Sequence, residues 1–412
     1  MGKVRILIVF ILTNWLIDGW LPARLFSQIT HHASLQMNDR LAIPFEINYQ
    51  PGKHPLLNII NGQEVIEMKF TKEKGDSVFM EFPEIAGQII FHKATLNGRW
   101  NNLNKLNSAS YPLIFYPVEP GRNTRFDFPL DAVSPSFAGI YDVTFSDSEG
   151  DSKAIGMFEQ AGSSVCGTFR TETGDYRYLS GGVFNGSMKL SCFDGVHAFL
   201  FEAHLDSSES VLLHGDFYSG SKYHASWIGR FNPYAQLSPA NTLSWAKDSL
   251  SELVIRIKTT RGKEKTLDKN YFAGTPTVIQ IMGTWCPNCL DESKYFIELS
   301  TRKPFSDVRF VAVGFENGLS DKDKLKRLRK YQKKMRFTYR LFLGGGASTK
   351  DAQAVFNQLN GVFAFPTTIY LDKSARIIQV NSGFDGPATG LFYTKLQEET
   401  EELLLKLLRT DE

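Results

Sequence analysis

Short runs in which apolar and polar side chains alternate recur through the first half of the chain, between residues 41 and 227. This spacing is typical of half-buried β-strands. Pairs that favour tight hairpin turns separate many of the runs; they include Asn61-Gly62, Asn97-Gly98, Asn185-Gly186 and Asp194-Gly195. The pattern predicts an all-β sandwich or barrel domain over residues 41–230, after a lead segment at 28–40. It leaves open whether this half is one domain or two small ones that meet near residues 117–125.

The pattern changes after residues 231–250, where prolines and polar residues predict a connector. From residue 251 to residue 412, apolar strands alternate with stretches of helical period. Strands are predicted at 253–257, 278–281 and 308–313, helices at 289–300, 321–336, 350–359 and 391–408, and a hairpin at 367–380. Such an alternation predicts an α/β domain with a mixed sheet flanked by helices.

The composition indicates a folded protein of two or three domains. The 412 residues are 42% hydrophobic and 22% charged, which excludes a disordered chain. The formal net charge of +2 is too small to favour a nucleic-acid partner. Four cysteines exclude a disulfide-dense scaffold.

The first 27 residues have the features of an export signal. Lys3 and Arg5 precede an apolar stretch at 6–16, and a cleavage site after Ser27 fits the pattern. An uncleaved membrane anchor is the alternative, although the stretch is short for a span and Asp18 interrupts it. Both interpretations predict a periplasmic or cell-envelope location, where disulfides persist.

Cys286-Pro-Asn-Cys289 is the strongest chemical signal in the chain. It follows the apolar run at 277–282 and begins a predicted helix. Two thiols at this spacing can close as a disulfide, and the free amides at a helix N-terminus stabilise a thiolate. Pro287 suits the first helical turn, where no amide hydrogen is needed.

Two other uses of the Cys pair were weighed against a reactive dithiol. Half of a zinc site would need two further ligands, yet the chain has no His beyond His224. A structural disulfide would close a loop so short that it adds little stability. Cys166 and Cys192 lie in the β-half, where they either pair across neighbouring strands or are separately buried.

Trp285-Cys-Pro-Asn-Cys289, with Phe365-Pro366-Thr367-Thr368 downstream, resembles the thioredoxin superfamily. Within it, the chain is most similar to the exported TlpA/ResA-like thiol–disulfide oxidoreductases. The resemblance covers the chain from about residue 253 to the C-terminus and implies a thioredoxin fold there. The β-half looks like the front half of the long forms from Bacteroidetes-type bacteria, for which no activity is implied.

The resemblance also implies catalytic roles. Cys286 would be the nucleophile, Cys289 the resolving thiol, and Glu292 the carboxyl that exchanges the proton of Cys289. Cytosolic thioredoxins carry a buried Asp where this chain has Gln280, so Glu292 is the candidate acid. An ordinary solvated position for Glu292 on the helix remains the alternative.

The substrate-binding residues implied by the resemblance surround the two sulfurs. Pro366 is expected after a cis peptide bond that leaves the backbone of Phe365 free to bind an extended substrate. Trp285 and Phe365 would form an apolar rim, and Pro287 and Thr367 would complete the contacts.

The expected function is that of an exported protein-disulfide reductase that needs no cofactor and no metal. Its partners would be a disulfide-bearing client protein and a membrane or periplasmic electron donor, with no nucleic acid. The alternative is a non-catalytic binding or assembly protein, in which the β-domain carries the function on a thioredoxin-like scaffold.

Overall fold

A computed structural model describes residues 29–104, 109–129, 135–208, 211–248 and 252–409. The predicted signal at 1–27 lies outside these ranges. Within them, no helix combines the length and the apolar character needed to span a membrane.

The first unit is a closed barrel of eight antiparallel strands. Its strands are β1 Ile29–Gln36, β2 Ala42–Gln50, β3 Leu56–Asn61, β4 Glu64–Lys74, β5 Ser77–Glu81, β6 Gly87–His92, β7 Gly98–Asn102 and β8 Ala109–Pro117. Each strand pairs with its neighbour in sequence, and β1 closes the ring on β8. Inward-pointing side chains such as Phe45, Phe91 and Trp100 fill the interior.

The lead segment predicted at 28–40 is wrong as a separate segment, because β1 lies within it and belongs to the barrel. Ala33, Leu35 and Met37 are buried there. They alternate with half-exposed residues, which is the period of a strand with one face in the core. The paired His31 and His32 masked this alternation in the sequence.

The second unit is also built from antiparallel strands. They are β9 Gly139–Asp147, β10 Gly150–Ala161, β11 Ser164–Thr171, β12 Gly174–Asp175, β13 Leu179–Phe184, β14 Ser187–Phe193, β15 Ala198–Leu205, β16 Leu212–Ser219 and β17 Tyr223–Phe231. The pairing of β10 with β11 closes these strands into a second ring, on which β12 is a short appendage. Its core is aromatic, with Phe169, Phe201 and Phe217 stacked on one another.

The third unit is a mixed sheet flanked by helices, as predicted for the C-terminal part. Its strands are β18 Ile255–Thr259, β19 Glu264–Leu267, β20 Thr277–Met282, β21 Arg309–Glu316, β22 Arg340–Gly346, β23 Thr367–Leu371 and β24 Ile377–Ser382, in the order β19-β18-β22-β21-β20-β23-β24. β20, β21 and β22 run parallel, and the outer strands are antiparallel. The helices are α1 Lys269–Phe272, α2 Pro287–Leu299, α3 Asp321–Met335, α4 Thr349–Val355 and α5 Leu391–Arg409. This is the thioredoxin-like arrangement.

Helix α3 joins the third unit to the first barrel. Leu325 and Leu328 are buried in the same apolar cluster as the barrel core. On the basic face of the helix, Arg327 Nη1 donates to the carbonyl of Leu103 at 2.8 Å, and Lys334 Nζ donates to the carbonyl of Phe82 at 2.9 Å. The basic run therefore lies partly against the barrel of its own chain.

The buried guanidinium of Arg177 joins all three units. It follows β12, and its side chain is 6% exposed. It forms ion pairs with Glu64 of the first barrel and Asp291 of α2, and its Nε lies 3.9 Å from Asp194 of the second barrel. Burial alone would lower the pKa of Arg177, but the carboxylates outweigh burial and raise it.

Replacing Arg177 tests this junction. Arg177→Met keeps most of the apolar volume but leaves buried carboxylates without their cation, so we expect a loss of about 3 to 5 kcal/mol in the free energy of unfolding. Chemical denaturation followed by tryptophan fluorescence measures the loss. Arg122→Met, which removes an exposed pair with Asp127, is the control and should cost less than about 1 kcal/mol. Equal effects of the two substitutions would contradict the role given to Arg177.

Candidate functional site

The dithiol lies where strand β20 meets helix α2. Cys286 is the N-cap of α2, and its sulfur accepts a hydrogen bond from the amide of Cys289 at 3.2 Å. Pro287 occupies the first turn, as the sequence predicted. Cys286 is 7% exposed and Cys289 is fully buried. The N-cap position thus gives the Cys286 sulfur an amide donor.

A buried carboxylate holds the loop that precedes Cys286. Glu316, at the end of β21, accepts from the Thr284 amide at 2.8 Å and from the Thr284 hydroxyl at 2.7 Å. The indole of Trp285 donates to the carbonyl of Phe315 at 2.9 Å. Burial raises the pKa of Glu316 to about 7. Sequence reasoning missed this pair, although a Glu at the end of an apolar strand was a visible signal.

The segment around Pro366 faces Cys286 from the other side. The Phe365–Pro366 peptide bond is cis, as predicted, and the thiol of Cys286 donates to the carbonyl of Phe365 at 3.4 Å. The rings of Trp285 and Phe365 meet edge to face, with 5.4 Å between centroids. Thr367 is buried, and its hydroxyl donates to the carbonyl of Ala364 at 2.9 Å. Its side chain therefore forms a hydrogen bond within its own loop.

Glu292 is buried one turn beyond Cys289. It is 3% exposed, which rules out the solvated position on the helix. Its Oε1 accepts from the hydroxyl of Thr368 at 2.6 Å, whereas Oε2 is buried with no hydrogen-bond partner among the described residues. Burial raises the pKa of Glu292 to about 8. A carboxyl with a pKa near neutrality can both accept and release a proton.

Gln280 replaces an acid without leaving its site unsatisfied. Its amide nitrogen donates to the carbonyl of Cys289 at 3.2 Å, and its oxygen accepts from the hydroxyl of Ser293 at 3.0 Å. These bonds hold α2 against β20. Burial raises the pKa of the Cys289 thiol, and the adjacent Cys286 sulfur adds to the rise. The charge of an ionised Glu292 also raises the pKa of this thiol, so deprotonation of Cys289 needs a base that takes up its proton.

Cys166 and Cys192 do not pair. Cys166 lies on β11 and Cys192 on β14, with β13 hydrogen-bonded between them. Strands two positions apart are separated by more than 9 Å, beyond the reach of a disulfide. No group of three His, Cys, Asp or Glu residues within the described ranges is arranged to hold a metal ion.

The raised pKa of Glu292 predicts a pH-dependent stability. In the folded protein this carboxyl keeps its proton up to about pH 8, whereas its ordinary value is 4.5. Between these values the folded state binds more protons than the unfolded chain, so stability falls as pH rises, by up to about 1.4 kcal/mol per pH unit. Glu292→Gln should flatten this decline when the free energy of unfolding is measured across the window. Glu298→Gln, at an exposed position of the same helix, should keep the wild-type slope. An unchanged slope in Glu292→Gln would contradict the burial argument.

Residues 246–390 match the family model described as Redoxin. No curated protein matches the chain.

Several solved structures are similar to part of the chain. A thioredoxin-like protein from Porphyromonas gingivalis is 22% identical over 37% of this chain and 90% of its own, with a TM-score of 0.28. StoA from Bacillus subtilis is 19% identical over 36% and 98%, with a TM-score of 0.26. A thiol:disulfide interchange protein from Chlorobium tepidum is 18% identical over 40% and 99%, with a TM-score of 0.26. Residues 246–390 are thus similar to the Redoxin family, and this part of the chain has a thioredoxin-like fold that follows two all-β barrels.

Proposed function

We propose that the protein is an exported thiol–disulfide oxidoreductase that reduces disulfides of client proteins through Cys286 and Cys289. The observation that carries the proposal is the position of the Cys286 sulfur. It lies between the Cys289 amide at 3.2 Å and the Phe365 carbonyl at 3.4 Å, at the N-terminus of a helix. A scaffold without chemistry has no need to build such a position.

The first step is attack of the Cys286 thiolate on one sulfur of the client disulfide. The client S–S bond breaks, a mixed disulfide forms between Cys286 and the client, and the released client sulfur leaves as a thiolate that takes up a proton. The Cys289 amide stabilises the attacking anion by the bond that it already donates to the sulfur.

The second step is release of the client by Cys289. Glu292 in its ionised form accepts the Cys289 proton, and the new thiolate attacks Cys286. The Cys286–Cys289 disulfide forms, and the second client thiol leaves. Two electrons have then moved from the dithiol to the client. Because Cys289 is fully buried, solvent is a poor proton acceptor for it, and the ionised carboxyl of Glu292 would be the acceptor.

The client is held beside the sulfurs by backbone and aromatic contacts. The chain of an extended client would pair with the backbone of Phe365, and the half-exposed rings of Trp285 and Phe365 would contact its apolar side chains. The predicted export signal at 1–27 would direct the protein to the periplasm or cell envelope. There the oxidised dithiol must be reduced again by a membrane or periplasmic donor.

A trapping experiment tests the mechanism. Cys289→Ser should accumulate a mixed disulfide with an oxidised peptide, because the first step proceeds and the second cannot. Mass spectrometry after acid quenching measures the adduct. Cys286→Ser should retain the fold and form no adduct, and it is the matched control. Absence of the adduct in Cys289→Ser, with Cys286 inert to a small alkylating reagent at neutral pH, would favour the scaffold alternative.

The redox potential of the dithiol tests the direction. We expect a value well below about −200 mV, as for a reductant fed by a donor. Titration of the purified soluble protein against defined thiol buffers, read as the alkylated fraction of Cys286, gives the potential. A value near −120 mV would be that of a disulfide-introducing oxidant and would overturn the reductase assignment.

A further inference from the structure

One wall of the dithiol site comes from the second barrel. Residues 173–177, which we call the covering segment, lie against the first turn of α2. The side-chain amide of Asn288 donates to the carbonyl of Asp175 at 3.3 Å, and Arg177 Nη1 donates to the carbonyl of Pro287 at 3.4 Å. Gly174 has a φ of +145°, a conformation that favours glycine, and a Cβ there would lie 2.2 Å from Asn288 Nδ2 and would displace the end of that side chain.

The covering segment also holds the loop after β24. Asp175 Oδ2 accepts from the amide of Gly386 at 2.6 Å. Gly383 approaches Thr173 so closely that a Cβ there would lie 2.4 Å from the carbonyl carbon of Thr173. The segment is therefore bonded on both sides, to the turn that carries the Cys pair and to the neighbouring loop.

A separate ion pair beside the covering segment strengthens this closure. Arg170 Nε donates to Asp385 at 2.6 Å, and both side chains are largely buried. The guanidinium also lies 4.7 Å from the centroid of the Phe392 ring. These contacts join β11 to the loop and to helix α5.

The covering segment limits how a disulfide can approach Cys286. On the Pro287 and Asn288 side, the backbone of residues 173–177 occupies the space next to the Cys pair. The other side has the Phe365 carbonyl in contact with the sulfur and the half-exposed rings of Trp285 and Phe365. A partner that reaches the sulfur must therefore be narrow.

We propose that the covering segment determines specificity, so that the dithiol accepts disulfides on extended or flexible chain segments and excludes those held on the surface of a rigid folded protein. The proposal rests on the function proposed above. It also assigns a role to the second barrel, which builds part of the site and selects the client by shape.

Size-dependent alkylation of Cys286 tests the proposal without any client. N-ethylmaleimide and a maleimide carrying a polyethylene glycol chain share their chemistry and differ in bulk. We measure both second-order rates at Cys286 by peptide mapping. Asp175→Ala removes the acceptor for Gly386 and should raise the ratio of the bulky to the small rate by about tenfold, the effect expected from losing hydrogen bonds to a buried carboxylate.

Glu172→Ala is the matched control. It removes the same charge one residue before the covering segment and should keep the wild-type ratio. Arg170→Ala breaks the separate pair with Asp385 and should raise the ratio as Asp175→Ala does. If Asp175→Ala fails to fold, the rate ratio of Arg170→Ala tests the proposal in its place. A ratio that stays at the wild-type value in the folded variants would overturn the proposal.

Exchange with a short cystine-linked peptide separates this proposal from the function on which it rests. One outcome is that the wild-type protein is alkylated at Cys286 with strong size discrimination and yet does not reduce the peptide. In that case the oxidoreductase function is wrong, and the restriction of access by the covering segment is retained. If it reduces the peptide and a rigid folded disulfide protein at equal rates, the function holds and the specificity proposal is wrong.

Discussion

The electrostatics around Arg177 constrain the whole molecule. A buried guanidinium needs partners that compensate its lost hydration, and for Arg177 these are carboxylates from a strand of one barrel, a loop of the next and the dithiol helix. Satisfying one charge thus fixes the relative position of three units. Because Asp291 lies two residues beyond Cys289, the same charge also fixes where the helix that carries the dithiol begins. The packing of α3 on the first barrel adds an apolar contact to this ionic one.

Burial has two effects at the site, and both arise from the same packing. It raises the pKa values of Glu292 and Glu316 into the neutral range, where a carboxyl can exchange protons. It also leaves the nucleophile only 7% exposed. In a more open site, a client would reach Cys286 more easily. Glu292 would then be more solvated, and its pKa would fall toward its ordinary value. Proton transfer and access to the sulfur are therefore coupled.

The parts that the sequence predicted depend on local patterns. A strand followed by a Cys pair and a helix can be recognised from one short stretch of sequence. The hairpin turns are marked by their Asn-Gly pairs. The role of Glu292 followed from the family resemblance, whereas the sequence left open whether its side chain is buried or solvated. The cis bond before Pro366 followed from the family resemblance, since X-Pro bonds are generally trans.

The parts that the sequence did not predict depend on long-range contacts. Arg177 and Asp291 lie 114 positions apart, and Thr284 and Glu316 lie 32 apart. No local pattern links such residues. Strand β1 was missed because its apolar residues are few and follow two histidines, and only its pairing with β8 shows that it belongs to the barrel. The close approach of Gly174 to the side chain of Asn288 also joins two distant segments, and no local sequence pattern marks it.

The two barrels close without any strand from the third unit, and this has a consequence for how the chain folds. Domains generally fold as units, the N-terminal ones first, so both barrels can close before the segment that carries Cys286 folds. Arg177 then already has Glu64 and Asp194 beside it, and Asp291 arrives last. The dithiol helix then packs against a surface that has already folded, and the Arg177 cation lies where the start of the helix binds. The two barrels thus position the active site while the chain folds, in addition to contacting it in the folded protein.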